Sequence, residues 1–483
     1  MTRVGPGRHG VMRWVGQARG GGRLIDVGER GEQLCRRTVT VRATGPDAHA
    51  AAAAPTDILA NAEQSSGACS RIRCVRSLPS SSCEQCFAPR KDVHTMKVII
   101  IGAGVLGVSV ARQLAVAGED VLLLDQRKAG AGTTATTFAW TNSSRKPDPD
   151  YHRLNLAGME EHARLAEQLP GARSYFASGA LQWADAANEQ RLAANVERLR
   201  SLGYPAHWVT SDEATRIAGD LRIPATTTSI AHFPSEGYVL PDLFVNTVLA
   251  DAERHGARCA VGEVVAIGDR PDGVSVTLAG GDVRTGDRLV LAAGRWTQRL
   301  AAQAGIDVPM VTDIGRGSQT VGLLGYSRSP EVDLRCVIHS PGLNLRPAAG
   351  GHAVLQALDL NADVDPADPP SADGNIASTL ARRFSALLPN PGRAPEIDLR
   401  IGLRSLPADG RTVAGYASPQ SRVYCLVSHS GVTLAPVLGR LVATEITTDQ
   451  EQGLLGAFRP TRFAGVRRSD IEVDQHATGL GDQ

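Results

Sequence analysis

The residues best suited to chemistry are three glycines at fixed spacing, between an apolar run and a helical pattern. Gly102, Gly104 and Gly107 form a G-x-G-x-x-G motif, with Val105 and Leu106 between the last two. Glycine at these positions allows a tight turn, a close backbone approach to a pyrophosphate, and close packing of a helix on a strand. The N–H groups at the start of the helix attract phosphate. The motif therefore predicts a dinucleotide site.

An acidic residue stands at the expected distance beyond the glycines. Asp125 ends the apolar run 121–124 and is followed by Gln126. About 20 residues after the motif, a carboxylate at a strand end accepts hydrogen bonds from ribose hydroxyl groups. The alternative is a glycine-rich turn without a ligand, and the position of Asp125 argues against it.

Two further segments favour FAD over a nicotinamide cofactor. The loop at 130–134 brings Gly132, Thr133 and Thr134, whose N–H and hydroxyl groups suit a second stretch of pyrophosphate or the ribityl chain. The apolar run 289–292 ends in Ala293 and Gly294, small residues that leave room for a cofactor. A plain buried strand and turn is the alternative for this second segment.

A late glycine cluster completes the predicted flavin site. Gly431, Val432 and Thr433 precede a helical pattern near the end of the chain. A helix N-terminus here would face the N1/C2 carbonyl edge of a flavin and stabilise its anionic reduced form. The sequence thus predicts FAD as the cofactor.

These residues have to be positioned by an alternating α/β order. The run 98–101 is typical of a strand buried on both faces, and 105–117 is the helix that follows it. Further helices are predicted at 151–170, 188–202, 378–388 and 437–447. Further strands are predicted at 121–124, 264–267, 274–278, 289–292 and 423–428, and 362–373 is predicted to be a loop.

Size and charge limit the possible partners. The chain has 483 residues and a formal net charge of +1. Such a charge creates no field that would attract nucleic acid or an anionic membrane. No apolar run reaches the ~18–20 residues of a membrane span, and the N-terminus has no apolar secretory segment. We expect a soluble cytoplasmic protein with a small-molecule substrate.

The cysteines do not predict a metal site. Cys83 and Cys86 form a lone C-x-x-C pair, and zinc would need a second pair at suitable spacing. Zinc therefore stays the alternative. Cys259, Cys336 and Cys425 are widely spaced and are expected to be buried, reduced thiols.

Residues 1–95 differ in composition from the rest of the chain. They are rich in glycine, arginine, serine and alanine, and their apolar residues show little periodicity. This composition predicts disorder. Because a strong strand pattern follows Met96 directly, a second hypothesis is that Met96 is the true start. Intact mass of the native protein would separate the two.

The motifs, in their order, resemble a known family. In chain order they are GAGVLG, Asp125, GAGTT, LAAG, IGLRSLPADGRTVAGY and SHSGVTLAP. Over about residues 96–447 they resemble the D-amino-acid oxidase superfamily, which includes glycine oxidase and the sarcosine oxidases. The resemblance implies an α/β fold in which a Rossmann-like FAD-binding domain is interleaved with an α+β substrate domain containing an antiparallel sheet. The implied ranges are 96–144, 230–303 and 399–447 for the first domain, 145–229 and 304–398 for the second, and 448–483 for a C-terminal tail.

The resemblance also implies a reaction and its residues. Members of the family oxidise C–N bonds of amino acids and amines by passing a hydride to flavin N5. The arginine at the position of Arg404 faces the substrate carboxylate, although Ser405 here replaces the usual proline. A salt bridge with Asp409 or another acid is the alternative for Arg404. The position of Val265 would meet adenine through its backbone. Some relatives attach FAD to a cysteine before Gly402, and its absence here predicts non-covalent FAD.

Other side chains near these motifs are weaker candidates. His429 could donate to flavin N1/O2 or to oxygen, with a structural role as the alternative. Trp140 could pack on the flavin, with core packing as the alternative. Asn142 or Lys146 could reach the pocket, although a solvated side chain is the favoured prediction for Lys146. Tyr238 is a weak pocket candidate. Structural roles are predicted for four further histidines, His152, His232, His339 and His352.

Several functions stay open on the sequence. The first is oxidation of an amino acid or secondary amine. The second is oxidation of a C–O bond in a 2-hydroxyacid, which needs a base such as His429 or His352 near flavin N5. The third is a non-catalytic flavoprotein subunit, and a nicotinamide dehydrogenase is the most distant. The electron acceptor is either oxygen or a quinone or carrier protein.

Overall fold

A computed structural model describes residues 26–29, 39–42, 95–169, 173–390, 392, 394–466 and 470–471. The strands are β1 Asp26–Glu29, β2 Val39–Arg42, β3 Lys97–Ile101, β4 Asp120–Asp125, β5 Trp140–Thr141, β6 Tyr175–Phe176, β7 Ala180–Ala184, β8 His207–Trp208, β9 Ser229–Phe233, β10 Gly237–Val239, β11 Arg258–Val261, β12 Val264–Arg270, β13 Gly273–Leu278, β14 Val283–Gly286, β15 Arg288–Leu291, β16 Val321–Ser329, β17 Val337–Ser340, β18 Leu343–Pro347, β19 Ala353–Gln356, β20 Glu396–Leu403, β21 Val413–Tyr416 and β22 Val423–Val427. The α-helices are α1 Val105–Ala117, α2 Pro149–Gln168, α3 Glu189–Ser201, α4 Ser211–Ala218, α5 Pro241–Arg254, α6 Thr297–Gln303, α7 Asn375–Leu387 and α8 Gly431–Thr448.

The chain divides into two compact units, Met1–Lys91 and Asp92–Gln483. In the first unit, β1 and β2 pair antiparallel, with Asp26 opposite Arg42. These two strands and Thr95 are the described part of the segment 1–95, for which the sequence predicts disorder. The remainder of that segment, including the C-x-x-C pair, lies outside the described residues.

A six-stranded sheet forms the centre of the second unit, in the order β11-β4-β3-β15-β22-β21. Its neighbouring strands are parallel, except that β21 runs antiparallel to β22. The apolar run of β3 explains its central place, because its residues are buried on both faces. Val98 and Ile100 pack in the core with α1, while Ile99 and Ile101 pack in the core with β12 and β13.

Helices α1, α2 and α8 contribute to the core on one face of this sheet, and the antiparallel sheet β12-β13-β14 contributes to the core on the other. Helix α1 ends where Gly118 adopts a left-handed conformation, with φ of 94°. Its N–H bonds back to the last turn, as in many helix C-termini.

A second, eight-stranded sheet has the order β20-β16-β19-β18-β17-β7-β9-β8. Its strands pair antiparallel, apart from the parallel pair of β17 and β7. Helix α7 packs on it through Leu380 and Phe384, which are buried with the apolar side chains of β16 to β20. The α/β fold class and the antiparallel substrate-side sheet are therefore confirmed. The exact ranges of the two interleaved domains stay a prediction.

Most predicted elements are present within a few residues, but α8 begins six residues before the predicted start. The predicted start is residue 437, directly after Pro436. Proline has no N–H to donate to the carbonyl four residues earlier. That carbonyl belongs to Val432, and it accepts a hydrogen bond from His162 Nε2 at 2.8 Å. A side chain of α2 therefore supplies the missing donor. Beyond α8, Leu455 and Phe458 pack into the core.

Candidate active site

A cavity of about 320 Å³ lies along the carboxyl ends of the central parallel strands. This edge of a doubly wound sheet is where such folds bind ligands. The eight-stranded sheet covers the other side of the cavity, with Gly322, Leu324, His339 and Asn344 in its wall. The cavity therefore lies between two sheets whose strands alternate in blocks along the chain.

The glycine motif forms the turn between β3 and α1 as predicted. Gly102 has φ of +105°, and a Cβ there would lie 2.3 Å from the carbonyl oxygen of Ala292. A Cβ on Gly107 would lie 1.8 Å from the carbonyl oxygen of Gly102. Gly107 does not line the cavity, but it allows the close packing that shapes the turn. Gly104 does line the cavity.

Helix α1 starts at this turn without a side-chain cap. Val105 and Leu106 of its first turn line the cavity. The N–H of Val105 is 3.3 Å from the hydroxyl oxygen of Thr134. The unsatisfied donors of a first helical turn suit a phosphate. The arrangement offers a pyrophosphate both the helix N-terminus and the 130–134 loop.

The carboxylate at the tip of β4 is fixed by backbone donors. Asp125 accepts hydrogen bonds from the N–H groups of Ala103, at 2.8 Å, and Arg127, at 2.9 Å. Asp125 and Gln126 both line the cavity. Each carboxylate oxygen retains a further lone pair for an outside donor such as a ribose hydroxyl.

The following loop also lies in the cavity wall, through Gly132, Thr133 and Thr134. The hydroxyl of Thr133 donates to the carbonyl of Leu403 at 2.6 Å. This hydrogen bond ties the loop to the end of β20, the strand that leads to Arg404. The two parts of the predicted site are thus joined directly.

At the end of the cavity beside β11 and β12, the lining residues differ by one position from the predicted Val265. Val265 does not line it; its side chain is 45% exposed, and its carbonyl accepts a hydrogen bond from Gln303. Glu263 and Val264 line the cavity instead. The backbone of Val265, which was expected to meet adenine, is therefore not part of the lining.

The segment after β15 lines the cavity through Ala293 and Gly294. Gly294 has φ of +57°, and a Cβ there would lie 2.8 Å from the hydroxyl oxygen of Ser405. The small residues therefore allow β15 and the Arg404 segment to approach closely. Ser405, which replaces the usual proline, thus lies against the turn at Gly294.

The start of α8 lines the cavity through Gly431, Val432 and Thr433. Its N-cap makes no side-chain hydrogen bond, so its first N–H groups remain available to a ligand. Two residues of α2 support this turn: His162 donates to Val432, and a Cβ on Gly158 would lie 2.4 Å from the carbonyl oxygen of Thr433. The sequence analysis missed both residues of α2.

The described residues fit FAD. The cavity edge reaches from the residues after β11 to those after β22, which are four inter-strand spacings apart, or about 19 Å. Uncapped helix N-termini stand at two points along it, and a fixed carboxylate at a third. Cys259, Cys336 and Cys425 all lie outside the lining, and burial raises the pKa of both Cys336 and Cys425 to about 12. Non-covalent binding of FAD stays a prediction.

Arg404 lies in the cavity wall. Its Nη1 donates to the carbonyls of Gln319 and Val321, and a Cβ on Gly322 would lie 2.8 Å from its Nη2. Burial lowers the pKa of Arg404 to about 10, which keeps it charged at neutral pH.

The alternative partner of Arg404 is otherwise engaged. Asp409 forms a salt bridge with Arg462, with an Nε–Oδ2 distance of 2.7 Å. Among the described residues, no carboxylate lies within salt-bridge distance of Arg404. The alternative of an Arg404–Asp409 salt bridge is therefore ruled out, and the guanidinium group remains available to an anion in the cavity.

His429 also lines the cavity. Burial, with the charges of Lys146 and Arg404, lowers the pKa of His429 to about 3. The imidazole is therefore neutral at physiological pH. Its two positive neighbours show that the predicted candidates Arg404 and His429 lie in one part of the cavity, together with Lys146.

The prediction that Lys146 is solvated is wrong. Lys146 is 4% exposed and lines the cavity, with its Nζ 5.2 Å from the ring centre of Tyr151. Asn142 lines the cavity too, and its Oδ1 is buried with no hydrogen-bond partner in the part of the chain that the structure describes. Trp140 lines it and donates from Nε1 to Glu236 at 2.9 Å. The segment after β5 is thus a large part of the wall.

The buried carboxylate of Glu236 holds the segment at β5 in place through hydrogen bonds. Its carboxylate accepts hydrogen bonds from Trp140, from the N–H of Ser144 and from the hydroxyl of Tyr204. Burial raises the pKa of Glu236 to about 7. Sequence reasoning could not identify this role, because the donors come from three separate segments.

One of the histidines predicted to be structural lies in the site. His339 is in the cavity wall, whereas His152, His232, His352 and Tyr238 are not. A predicted base near the flavin, His352, is therefore absent from the lining. Within the described ranges, no group of histidine, cysteine and acidic residues could hold a metal ion.

The fold and the cavity together define a dinucleotide-binding flavoprotein. The sequence profile of the family described as DAO, FAD dependent oxidoreductase, matches residues 97–445. The chain belongs to this family, and FAD is its cofactor. Membership of this family makes the chain an FAD-dependent oxidoreductase. This argues against two of the functions left open by the sequence, a non-catalytic flavoprotein subunit and a nicotinamide dehydrogenase.

Similar proteins cover the chain to different extents. A D-amino acid dehydrogenase of Bradyrhizobium diazoefficiens is 23% identical over 442 residues, covering 76% of this chain and 99% of that protein. The 4-methylaminobutanoate oxidase of Paenarthrobacter nicotinovorans is 29% identical over 231 residues, covering 44% of this chain and 26% of that protein. The match thus spans about a quarter of the length of this second relative.

Solved structures share the fold. Glycine oxidase from Geobacillus kaustophilus superposes with a TM-score of 0.66 at 22% identity, covering 76% of this chain and 99% of that one. L-Proline dehydrogenase from P. horikoshii gives a TM-score of 0.66 at 19% identity, covering 77% and 98%. Across the described part of the chain, no helix is both long and apolar enough to cross a membrane.

Proposed function

We propose that this chain oxidises the C–N bond of an amino acid or a secondary amine, with hydride transfer to flavin N5. The observation that carries the proposal is Arg404, a charged guanidinium in the cavity wall with only backbone carbonyls as hydrogen-bond partners among the described residues. A planar guanidinium binds a carboxylate through two parallel hydrogen bonds. The similar proteins include a glycine oxidase, which is named for an amino-acid substrate.

The residues around Arg404 would prepare the amine. FAD supplies the hydride acceptor when bound. An amine beside Lys146 and Arg404 is held near two positive charges, which disfavour its protonated form. Its nitrogen lone pair would then be available, so no strong base is required of the protein. Oxygen or a quinone or carrier protein is the proposed electron acceptor, and the rate of reoxidation in air would separate them.

The test compares Arg404→Gln with Arg400→Gln. Arg400 lies on β20, the strand that leads to Arg404, but it is exposed, so its loss controls for the change in charge. Bleaching of the flavin bands without oxygen is followed by stopped flow with D-amino acids, glycine, sarcosine and proline. Loss of a charge-assisted contact should weaken substrate binding about 10- to 150-fold for Arg404→Gln. Equal Kd values for the two variants would contradict the role of Arg404.

A second candidate function is oxidation of a 2-hydroxyacid, and His339 favours it. The Nδ1 of His339 is 3.0 Å from Asn344 Oδ1, and Asn344 Nδ2 donates to Gln356 Oε1. Asn344 therefore accepts from His339, and Nε2 of the neutral ring carries no proton. An unprotonated nitrogen suits the removal of a hydroxyl proton. Bleaching by 2-hydroxyacids, but by none of the amines, would select this function.

A further inference from the structure

Resting on the proposed function, we propose that Gln356 is a second carboxylate-binding residue, which holds the acid group of the substrate together with Arg404. The side-chain amide of Gln356 would donate to one carboxylate oxygen, and the guanidinium of Arg404 would donate to the other. Both residues line the cavity. Gln356 would thereby select an acid group, because only a group with two acceptor atoms can satisfy both donors.

Gln356 stands at one end of a row of three polar side chains that crosses the eight-stranded sheet. His339 of β17 lies opposite Asn344 of β18, and Asn344 lies opposite Gln356 of β19. Residues directly opposite each other in antiparallel strands have their side chains on the same face of the sheet. All three residues line the cavity, so this polar row belongs to the face that covers the ligand space.

Hydrogen bonds along the polar row orient the amide of Gln356. His339 Nδ1 donates to Asn344 Oδ1 at 3.0 Å, and Asn344 Nδ2 donates to Gln356 Oε1 at 3.2 Å. Burial and the charge of Arg145 keep the pKa of His339 well below its usual value, so the ring is neutral and carries one N–H. The oxygen of the Gln356 amide is therefore engaged within the row, and the nitrogen is left for another partner.

The amide nitrogen of Gln356 is accessible to a ligand. Among the described residues, no protein group accepts a hydrogen from it. Gln356 is half-buried and its Nε2 is not enclosed, in contrast to the unpartnered Nε2 of His339. A primary amide nitrogen carries two hydrogens. The polar row thus presents a donor of fixed orientation to the cavity.

The register of the sheet places this donor near the guanidinium of Arg404. Strands β16 and β19 pair antiparallel, with Gly325 opposite Leu355. Continued to the end of β19, this register makes Gln356 the diagonal neighbour of Gly322, at about 7–8 Å. A Cβ on Gly322 would lie 2.8 Å from Arg404 Nη2. The amide and the guanidinium can therefore both reach the oxygens of one carboxylate.

The side chains beside Gln356 cannot replace it as donors. Leu324 and Leu358 line the same part of the wall, and neither can form a hydrogen bond. A carboxylate that leaves water needs donors for its oxygens. A substrate acid bound at Arg404 would therefore depend on Gln356 for a second side-chain donor from this sheet.

The test uses a pair of ligands that differ in one group and need no turnover. Propionate and propionamide are titrated into the FAD-loaded protein, and each Kd is read from the flavin difference spectrum. Propionate accepts from both donors, whereas propionamide turns its NH₂ group toward one of them. Propionate should bind about 100-fold more tightly, with about tenfold from the charge at Arg404 and about tenfold from Gln356.

Three variants separate the role of Gln356 from a structural one. Gln356→Met removes the donor with little change in size and should reduce the preference for propionate to about tenfold. Gln182→Met is the matched control, because Gln182 lies on β7 opposite His339 but outside the cavity lining; it should keep the wild-type preference. Asn344→Leu leaves the Gln356 amide free to turn, so that its donor faces the ligand about half of the time, and the preference should fall about twofold.

Two results would overturn the proposal. The first is equal affinity of the wild-type protein for propionate and propionamide. The second is a wild-type preference in Gln356→Met, even if both ligands bind less tightly, since Gln356 would then only support the wall. Failure of the proposed function looks different, because no amino acid or amine would bleach the flavin, whatever the ratio of the two Kd values.

Discussion

The start of α8 depends on a hydrogen bond that the helix cannot make for itself. Pro436 has no N–H to offer the carbonyl of Val432, and His162 Nε2 bonds to that carbonyl at 2.8 Å. His162 also stacks on Tyr175, with ring centres 5.0 Å apart. The substitution His162→Phe keeps an aromatic ring for that stacking and removes the donor.

The expected energetic cost of His162→Phe comes from the Val432 carbonyl, which loses its hydrogen-bond donor. A buried acceptor without a donor costs about 1–3 kcal/mol, and FAD bound over this turn would exclude water from it. The helix start could relax in the absence of FAD, so the penalty should fall mainly on FAD binding. The Kd for FAD should then rise about 5- to 150-fold. His162→Gln retains a donor of similar reach and should recover most of the affinity.

The assay reconstitutes the flavin-free proteins and follows quenching of FAD fluorescence. Urea unfolding of the flavin-free proteins runs in parallel, because a general loss of stability would lower the unfolding midpoint of His162→Phe before any FAD is added. A Kd for His162→Phe within about twofold of wild type would refute the reasoning, since the carbonyl would then have another donor.

Three further outcomes are expected. Gly102→Ala should yield protein that binds little FAD, because the new Cβ would lie 2.3 Å from the Ala292 carbonyl oxygen at a φ of +105°; absorbance of the purified protein checks this. Asp125→Asn should weaken FAD binding about 10-fold or more through lost charge-assisted hydrogen bonds, measured by the same fluorescence titration, while a value equal to wild type would count against the ribose contact. Burial lowers the folded-state pKa of His162 to about 4 and that of His429, also through Lys146 and Arg404, to about 3. The free energy of unfolding should therefore be highest above pH ~6.5 and fall as the pH drops toward 4, because in that range the two histidines bind protons in the unfolded chain but not in the folded one. In urea titrations, His162→Gln should reduce this loss of unfolding free energy by roughly 3 kcal/mol. If the dependence of the unfolding free energy on pH were the same in the variant as in the wild type, a neutral His162 in the folded protein would be contradicted.

Short-range features were predictable because local chemistry decides them. The turn at Gly102 needs a left-handed φ and close contact with a neighbouring strand, and few residue types other than glycine allow both. Asp125 follows at a distance set by one helix and one strand. The fold class and the cofactor could therefore be inferred from the order of a few motifs.

Predictions about individual side chains were less successful. Lys146 was expected in solvent and is buried in the wall, and His339 was expected to be structural and lines the cavity. Their local sequence has no feature that reports burial, because burial depends on which distant element packs over them.

The sequence by itself determined the βαβ unit, the phosphate-binding turn and the carboxylate at the tip of β4, because backbone geometry within a few residues requires those residue types. Only the tertiary structure decided which charges share the cavity and which groups support it. His162 meets Val432 across 270 positions of sequence, and Arg346 reaches the carbonyl of Phe138 across 208. Such contacts arise when separate sheets and helices pack, and packing is a property of the whole folded chain.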